Sequence, residues 1–318
     1  MLGGMRKVVI AGGSGSIGQE LVRDFHSLGY EVVVLSRSSG AIDGARSVSW
    51  DGKSIGAWKD ELNGATAVIN LCGESVMQRW TPKSFQRIRD SRVDTTNLIC
   101  EAVSSCTTPP QVWLNASAVG WYGDTGTREV SEASPSANDR LGRLCQEWES
   151  AVDKCVVAET VKTKIRIGIV FGQRTEAFRQ LSKLTRLMLG GPVGTGRQYF
   201  SWIHIRDLAR IFVWAVENPT AGALNATSPE PVQNEDLMAA LRRHLGMPMS
   251  PPLPVFAVNL MTKAMGWDPQ MLLGSTRAVP AVIEARGFEF QFPTVESALV
   301  DLIDDVPKSW QKPKRVTA

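Results

Sequence analysis

The chain has 318 residues, 43% of them hydrophobic and 21% charged, which gives ample core material for one large domain or two smaller ones and excludes a disordered polymer. Its 35 basic and 32 acidic residues are spread along the chain for a formal charge of +3, so no field is built to hold a nucleic-acid backbone, and a small molecule is the expected partner. Five cysteines without a C-x-x-C pair and three histidines without zinc spacing point to no metal site and to free thiols in a reducing compartment. With no apolar leader at the start and no run long enough to cross a bilayer, the expectation is a cytoplasmic protein without membrane contact.

From Lys7 onward, short runs rich in β-branched residues alternate with helical patterns, as in βαβ units that build a doubly wound parallel sheet. Strands are predicted at Lys7–Ala11, Glu31–Ser36, Ser47–Trp50, Ala67–Leu71, Gln111–Ala116 and Lys164–Val170. Thr81 and Pro82 cap and start a helix carrying Phe85, Ile88, Ile99 and Val103 at helical spacing, with Arg87, Arg89 and Arg92 expected on its solvated face, the alternative being a functional role since they follow a strand end. The alternation fades after Gly172, the Gly190–Gly196 stretch is rich in turns, and Met247–Pro254 holds four prolines in eight residues. The organisation read from this is an α/β Rossmann-type domain over 1–172, a substrate-side region over 173–246 with elements returning to the first domain, a smaller helical C-terminal region over 247–306, and a basic tail over 307–318. That tail, with Lys308, Lys312, Lys314 and Arg315, is given no function.

The first strand runs into Gly12, Gly13, Ser14, Gly15, Ser16, Ile17 and Gly18, followed by an amphipathic helix with Leu21, Val22, Phe25 and Leu28. Strand, glycine turn and helix in this order form a dinucleotide fingerprint. Gly12 would permit the tight turn, Gly15 the approach of backbone N–H groups to a pyrophosphate, and Gly18 close packing of the helix on the sheet. The second strand ends in Ser36, Arg37 and Ser38. An acidic residue there would grip both ribose hydroxyls and select NAD, whereas arginine with small hydroxyl residues accepts a 2′-phosphate; NADP or NADPH is therefore the expected cofactor, unless Arg37 is an ordinary exposed loop residue.

With these residues in view, the chain resembles the extended short-chain dehydrogenase/reductase superfamily, and within it the epimerase-like SDR39U1/YfcH family with its DUF1731-type C-terminal region. The likeness rests on Gly12–Gly18, Asn70–Glu74 with Arg79, Trp80 and Ile88–Arg92, Gly120–Asp124, Gly194–His204, and Gly287, Phe288, Phe292 and Pro293. It implies that Leu71, Cys72 and Gly73 line the adenosine side, that Asp51 sits near adenine unless it caps the next turn, and that Ile167, Gly168 and Ile169 pass beneath the nicotinamide. Ser117 matches the serine or threonine that hydrogen-bonds the reacting oxygen. The superfamily's tyrosine and its lysine one helical turn later, which move a proton and hold the nicotinamide ribose, are replaced here by Leu141 and Cys145. Tyr122 is the substitute candidate acid, or else with Trp121 an aromatic wall of the cleft.

On the substrate side, Arg197 suits a carboxylate or phosphate and Trp202 offers a stacking face, the alternative for Trp202 and His204 being core packing. Two functions follow as expectations: an NADP-dependent oxidoreductase or epimerase-like enzyme acting on a small, anionic substrate, or a nucleotide-bound protein without turnover that senses redox state or binds a partner.

Overall fold

The computed structural model describes residues 6–37 and 40–304, so Ser38 and the basic tail lie outside the described residues. Thirteen strands follow in chain order: β1 Lys7–Ala11, β2 Glu31–Ser36, β3 Arg46–Ser49, β4 Ala67–Asn70, β5 Val112–Ala118, β6 Glu129–Val130, β7 Val161–Ile167, β8 Ile169–Phe171, β9 Tyr199–Phe200, β10 Trp202–His204, β11 Gly222–Ala226, β12 Val232–Gln233 and β13 Arg277–Ala278. Seven of them form one parallel sheet in the order β11-β7-β5-β4-β1-β2-β3. The order reverses between β1 and β4, which opens the crevice where doubly wound sheets take their ligands.

Period-two alternation fills both faces of this sheet with core. Val8, Ile10, Val32 and Val34 pack under α1 (Ser16–Ser27), while Val9, Ala11, Val33 and Leu35 face α2 (Pro82–Ser104). The helix α2 begins as the sequence predicts: the Thr81 hydroxyl accepts from Ser84 N at 3.1 Å, the Ser84 hydroxyl receives Thr81 N at 2.8 Å, and Pro82 occupies the first turn. Beside α2 on the same face runs α3 (Arg140–Asp153), capped by the Asp139 carboxylate at 2.7 Å from Gly142 N. Beyond residue 172 come α4 (Glu176–Leu184), α5 (Ile205–Glu217), α6 (Asn234–His244) and α7 (Val255–Met265). Of these, α5 packs against α1, and β11 closes the sheet beyond β7, so both return to the first layer.

The predicted strand Lys164–Val170 is two strands. β7 ends at Ile167, and β8 leaves the sheet to pair with β10. Gly168 makes the break possible: a Cβ there would stand 2.6 Å from the Ser201 carbonyl oxygen.

The C-terminal region is stitched back over the carboxyl ends of the strands. Trp80 N donates to Gly266 O at 2.7 Å, the Thr276 hydroxyl to Gly123 O at 2.8 Å, and the Ser201 hydroxyl to Thr276 O at 2.7 Å. β13 pairs with β6 in the loop that follows β5. Among the described residues no helix is long and apolar enough to cross a membrane.

Candidate functional site

At the crevice each glycine meets a different constraint. Gly12 has φ +80°, a conformation that glycine adopts without steric cost, and a Cβ there would lie 3.2 Å from the Leu71 backbone. A Cβ on Gly18 would stand 2.6 Å from the Gly13 carbonyl carbon; the close approach is thus to the turn itself rather than to the sheet. At Gly15 a Cβ would find only Gly12 O, at 3.6 Å, and otherwise open space in front of the turn. The first turn of α1 has Gly15 as N-cap and no side-chain cap, so its N–H groups are offered to the crevice with the positive end of the helix dipole. Ser14 and Ser16 flank it: Ser14 O accepts from Gln19, and the Ser16 hydroxyl donates to Arg174 O at 3.2 Å. Ile17 is half-buried against the α1 core.

Arg37 is exposed at the end of β2, and among the described residues its guanidinium makes no hydrogen bond or ion pair. Burial pushes the Cys72 thiol up to about 12, and the charge of Arg37 offsets part of that push. Ser36, the residue before Arg37, is buried. Asp51, exposed, accepts from Lys53 N, Ser54 N and the Ser54 hydroxyl at 2.6–2.9 Å, bonds that hold its carboxyl down at about 2. These are the contacts of the turn-capping alternative.

The end of β4 is fixed from below. Buried Asn70 donates to Thr96 at 3.1 Å and to Asn115 at 2.8 Å, its carbonyl receives Cys72 N, and Trp148 donates to the same Thr96 hydroxyl. Leu71 N bonds Ala11 O at 2.9 Å, and behind Gly73 lies the Arg92 guanidinium, 3.0 Å from where a Cβ would be. Arg87 and Arg89 do pair with carboxylates on the outer face, but Arg92 turns inward, against the expectation of a solvated face.

The end of β5 holds a buried charged network. Ser117 donates to Glu149 Oε1 at 2.7 Å, and Arg166 on β7 clasps both oxygens of Glu149 at 2.9 Å. Arg166 Nη1 also donates to the Tyr122 hydroxyl at 3.0 Å, which in turn donates to Asn225 Oδ1 at 2.7 Å. The guanidinium stacks 3.9 Å from the Trp121 ring centre. Burial works against the charge on Arg166, but the hydrogen bonds and charge of Glu149 outweigh it and hold the group above its ordinary value. Burial likewise raises the Tyr122 phenol. At 4% exposure and with its hydroxyl shared between Arg166 and Asn225, Tyr122 is committed to this network rather than free as an acid.

Leu141 and Cys145 face the same place from α3. The Leu141 Cβ is 3.4 Å from a Cβ built on Gly120, and the buried Cys145 thiol, which burial pushes up to about 12, points at Ala118 O. Glu149 is one turn beyond Cys145 on that face. The helical spacing from Leu141 to Cys145 to Glu149 was the signal that reveals it, and Arg166 stands on the polar side of an alternating strand in a sheet covered on both faces.

On the substrate side Arg197 is exposed, its backbone held by the Thr195 hydroxyl at 3.3 Å. Trp202 does not line the substrate side, contrary to expectation: it is fully buried, stacked on Phe171 with ring centres 5.4 Å apart, and its Nε1 donates to Glu230 O at 2.9 Å, so it offers no face to a substrate. His204 is buried as well and caps α5 by accepting Arg206 N on Nδ1.

A model of the NAD dependent epimerase/dehydratase family matches residues 8–227, and a domain of unknown function, DUF1731, matches residues 253–302. The chain is 35% identical over 294 residues to an epimerase family protein of Mycobacterium leprae, covering 92% of this chain and 94% of that one. To the human epimerase family protein SDR39U1 it is 32% identical over 305 residues, 93% of this chain and 99% of the relative. The crystal structure of human SDR39U1 (isoform 2) with NADPH superposes with a TM-score of 0.85 at 30% identity, covering 94% of this chain and all of that one.

Proposed function

The chain belongs to the NAD dependent epimerase/dehydratase family, and from that premise we propose that it binds NADP(H) across the β1/β4 crevice and carries out hydride transfer on a small anionic substrate. The observation that carries the reading is the glycine turn. The open space before Gly15, the uncapped start of α1 and Arg37, which has no hydrogen-bond or ion-pair partner among the described residues, fit a pyrophosphate and a 2′-phosphate, where a side chain at residue 15 would fill the cradle. In this reading Gly12, Gly13, Ser14, Gly15, Ser16, Ile17 and Gly18 surround the pyrophosphate, with Ser36, Arg37 and Ser38 at the ribose phosphate. Leu71, Cys72 and Gly73 follow the adenosine, Ile167–Ile169 the nicotinamide, and Arg197 meets the substrate anion. The chemistry that NADP(H) supplies when bound is hydride donation or acceptance.

This chain's own residues offer little proton transfer beside it. Ser117 gives its proton to Glu149, Tyr122 to Asn225, and the Cys145 thiol stays protonated near neutrality. The proton is accordingly supplied by the substrate or by solvent. The same engaged hydroxyls favour a second reading, a nucleotide-bound protein that reports redox state or binds a partner without turnover.

A native mass spectrum of the freshly purified protein tests the first step, NADP(H) being the mass adduct expected; a protein that neither carries nor binds any dinucleotide overturns both readings. Turnover on a panel of carbonyl and hydroxyl substrates then separates enzyme from sensor.

A further inference from the structure

Arg92 is a cation in an unusual place. It lies on the inward stripe of α2, its guanidinium against Gly73 at the end of β4 and 5.2 Å from the ring centre of Trp148 on α3. Nη1 donates to Glu74 O at 2.9 Å and Ile88 O at 3.0 Å; among the described residues Nε and Nη2 make no hydrogen bond. Neither nitrogen is shut away from solvent, so these spare donors stand open to a ligand from outside the chain. The Cys145 thiol is its neighbour on α3, close enough that Arg92 counteracts part of the upward push of burial on that thiol.

The position relative to the sheet names the partner. Arg37 stands at the end of β2, on one side of the switch point, whereas Arg92 stands on the other, at the end of β4 and against the middle of α3. A dinucleotide lying across the crevice presents one half to each side. The half on the β4 and β5 side carries a ribose diol, a hydrogen-bond acceptor that a half-buried cation with spare donors can hold.

We propose that Arg92 of α2 binds the nicotinamide-side ribose of NADP(H), furnishing from the neighbouring helix the cation that α3 lacks at Cys145. Gly73 leaves the approach open, because any side chain there would press on the guanidinium. The inference rests on the reading of this crevice as an NADP(H) site.

The test is a calorimetric titration of NADPH and of adenosine 2′,5′-bisphosphate, which lacks the nicotinamide half, into wild type, Arg92→Met, Arg92→Lys, and Arg92→Met combined with Cys145→Lys. Melting temperature without ligand is measured alongside. We expect Arg92→Met to weaken NADPH about tenfold and to leave the bisphosphate unchanged, the lysine at 145 recovering most of the loss. Where Arg92→Met fails to fold, Arg92→Lys carries the test with a smaller loss of the same selectivity. Unchanged NADPH affinity, or an equal loss for the bisphosphate, overturns the role of Arg92 and leaves it as a brace for the loop at Glu74. Wild type that binds neither ligand overturns instead the NADP(H) reading beneath it.

Discussion

Ser117 on β5 and Glu149 on α3 share a proton donor and acceptor 2.7 Å apart, with both side chains shut away from solvent. Arg166 completes the pair from β7, so three elements of the Rossmann layer are joined by one buried charge couple. Removing one member leaves the other charged and unpaired. We expect Glu149→Leu or Arg166→Met alone to cost about 3–5 kcal/mol, and the double substitution to cost much less than the sum of the two. Urea unfolding of the four proteins measures this, and simple additivity would show that the pair is not coupled.

Gly15 and Gly18 lie in one turn yet face different neighbours, and a side chain added at each separates their roles. Valine at Gly15 enters open space, so we expect its apparent melting temperature without nucleotide to stay near wild type while nucleotide affinity falls. At Gly18, alanine already drives a Cβ into the Gly13 backbone, and the loss there is of stability. A Gly15→Val protein that melts early but binds normally in its folded fraction would mean the glycine serves packing only.

Arg37 has no protein partner among the described residues, so its loss should be felt only with ligand. We expect NADPH to bind more tightly than NADH by roughly tenfold or more, a charge-assisted contact being worth about 1.5–3 kcal/mol. In Arg37→Ala the two affinities converge. Equal affinities in wild type, or an unchanged ratio in the variant, would remove Arg37 from the 2′-phosphate.

The sheet was legible because its strands carry a local pattern: Lys7–Ala11 and Glu31–Ser36 end where β-branched alternation ends. Gly168 was not, because the reason for the strand break is the Ser201 backbone, a neighbour brought there by the fold. Trp202 misled in the same way, its stacking partner Phe171 lying on another strand. Arg92 could have been read: Ile88, Arg92 and Ile99 fall on one stripe of α2, and an arginine on an apolar stripe is turned toward the protein rather than out into solvent. The partnership of Glu149 with Arg166 needed both the α3 spacing and the β7 alternation together.

His204 gives the stability a pH dependence of definite sign. Burial, partly opposed by the charge of Asp207 and reinforced by Arg206, lowers its pKa from 6.5 to about 4, while Asp301 lies 3.3 Å from Nε2. In the unfolded chain the imidazole takes a proton as pH falls below about 6.5, but in the folded chain it resists until about pH 4. Its contribution is therefore complete above pH 6.5 and declines steadily between pH 6.5 and pH 4. Denaturant midpoints across that window should fall for wild type and fall less steeply for His204→Asn, whose side chain can still cap α5. Parallel slopes for the two proteins would assign the acid sensitivity to other groups.

Ordinary sugar-nucleotide epimerisation should be slow here even with NADP at saturation. On the proposed reading, the position on α3 that corresponds to the superfamily's proton-moving tyrosine holds Leu141, packed near Gly120, and the next turn holds a thiol pushed up to about 12. Ser117 and Tyr122 are each bonded elsewhere, so neither replaces the missing group without breaking the Glu149–Arg166 network. General acid–base assistance is worth about 10²–10⁴-fold, and wild type should fall short of dyad-bearing enzymes by a factor in that range. Leu141→Tyr with Cys145→Lys restores the residue types, and we expect it to raise the rate on common nucleotide sugars if Arg92 and the new lysine tolerate one another so close to Gly73. Tyr122→Phe separates the remaining possibility. With its hydroxyl committed to Asn225, the substitution should lower stability by about 1 kcal/mol or somewhat more and leave any measured turnover within a few-fold of wild type. Abolished turnover in a well-folded Tyr122→Phe protein would return Tyr122 to the chemistry, and wild-type epimerisation at rates near those of dyad-bearing enzymes would show that α3 is not where this protein moves its proton.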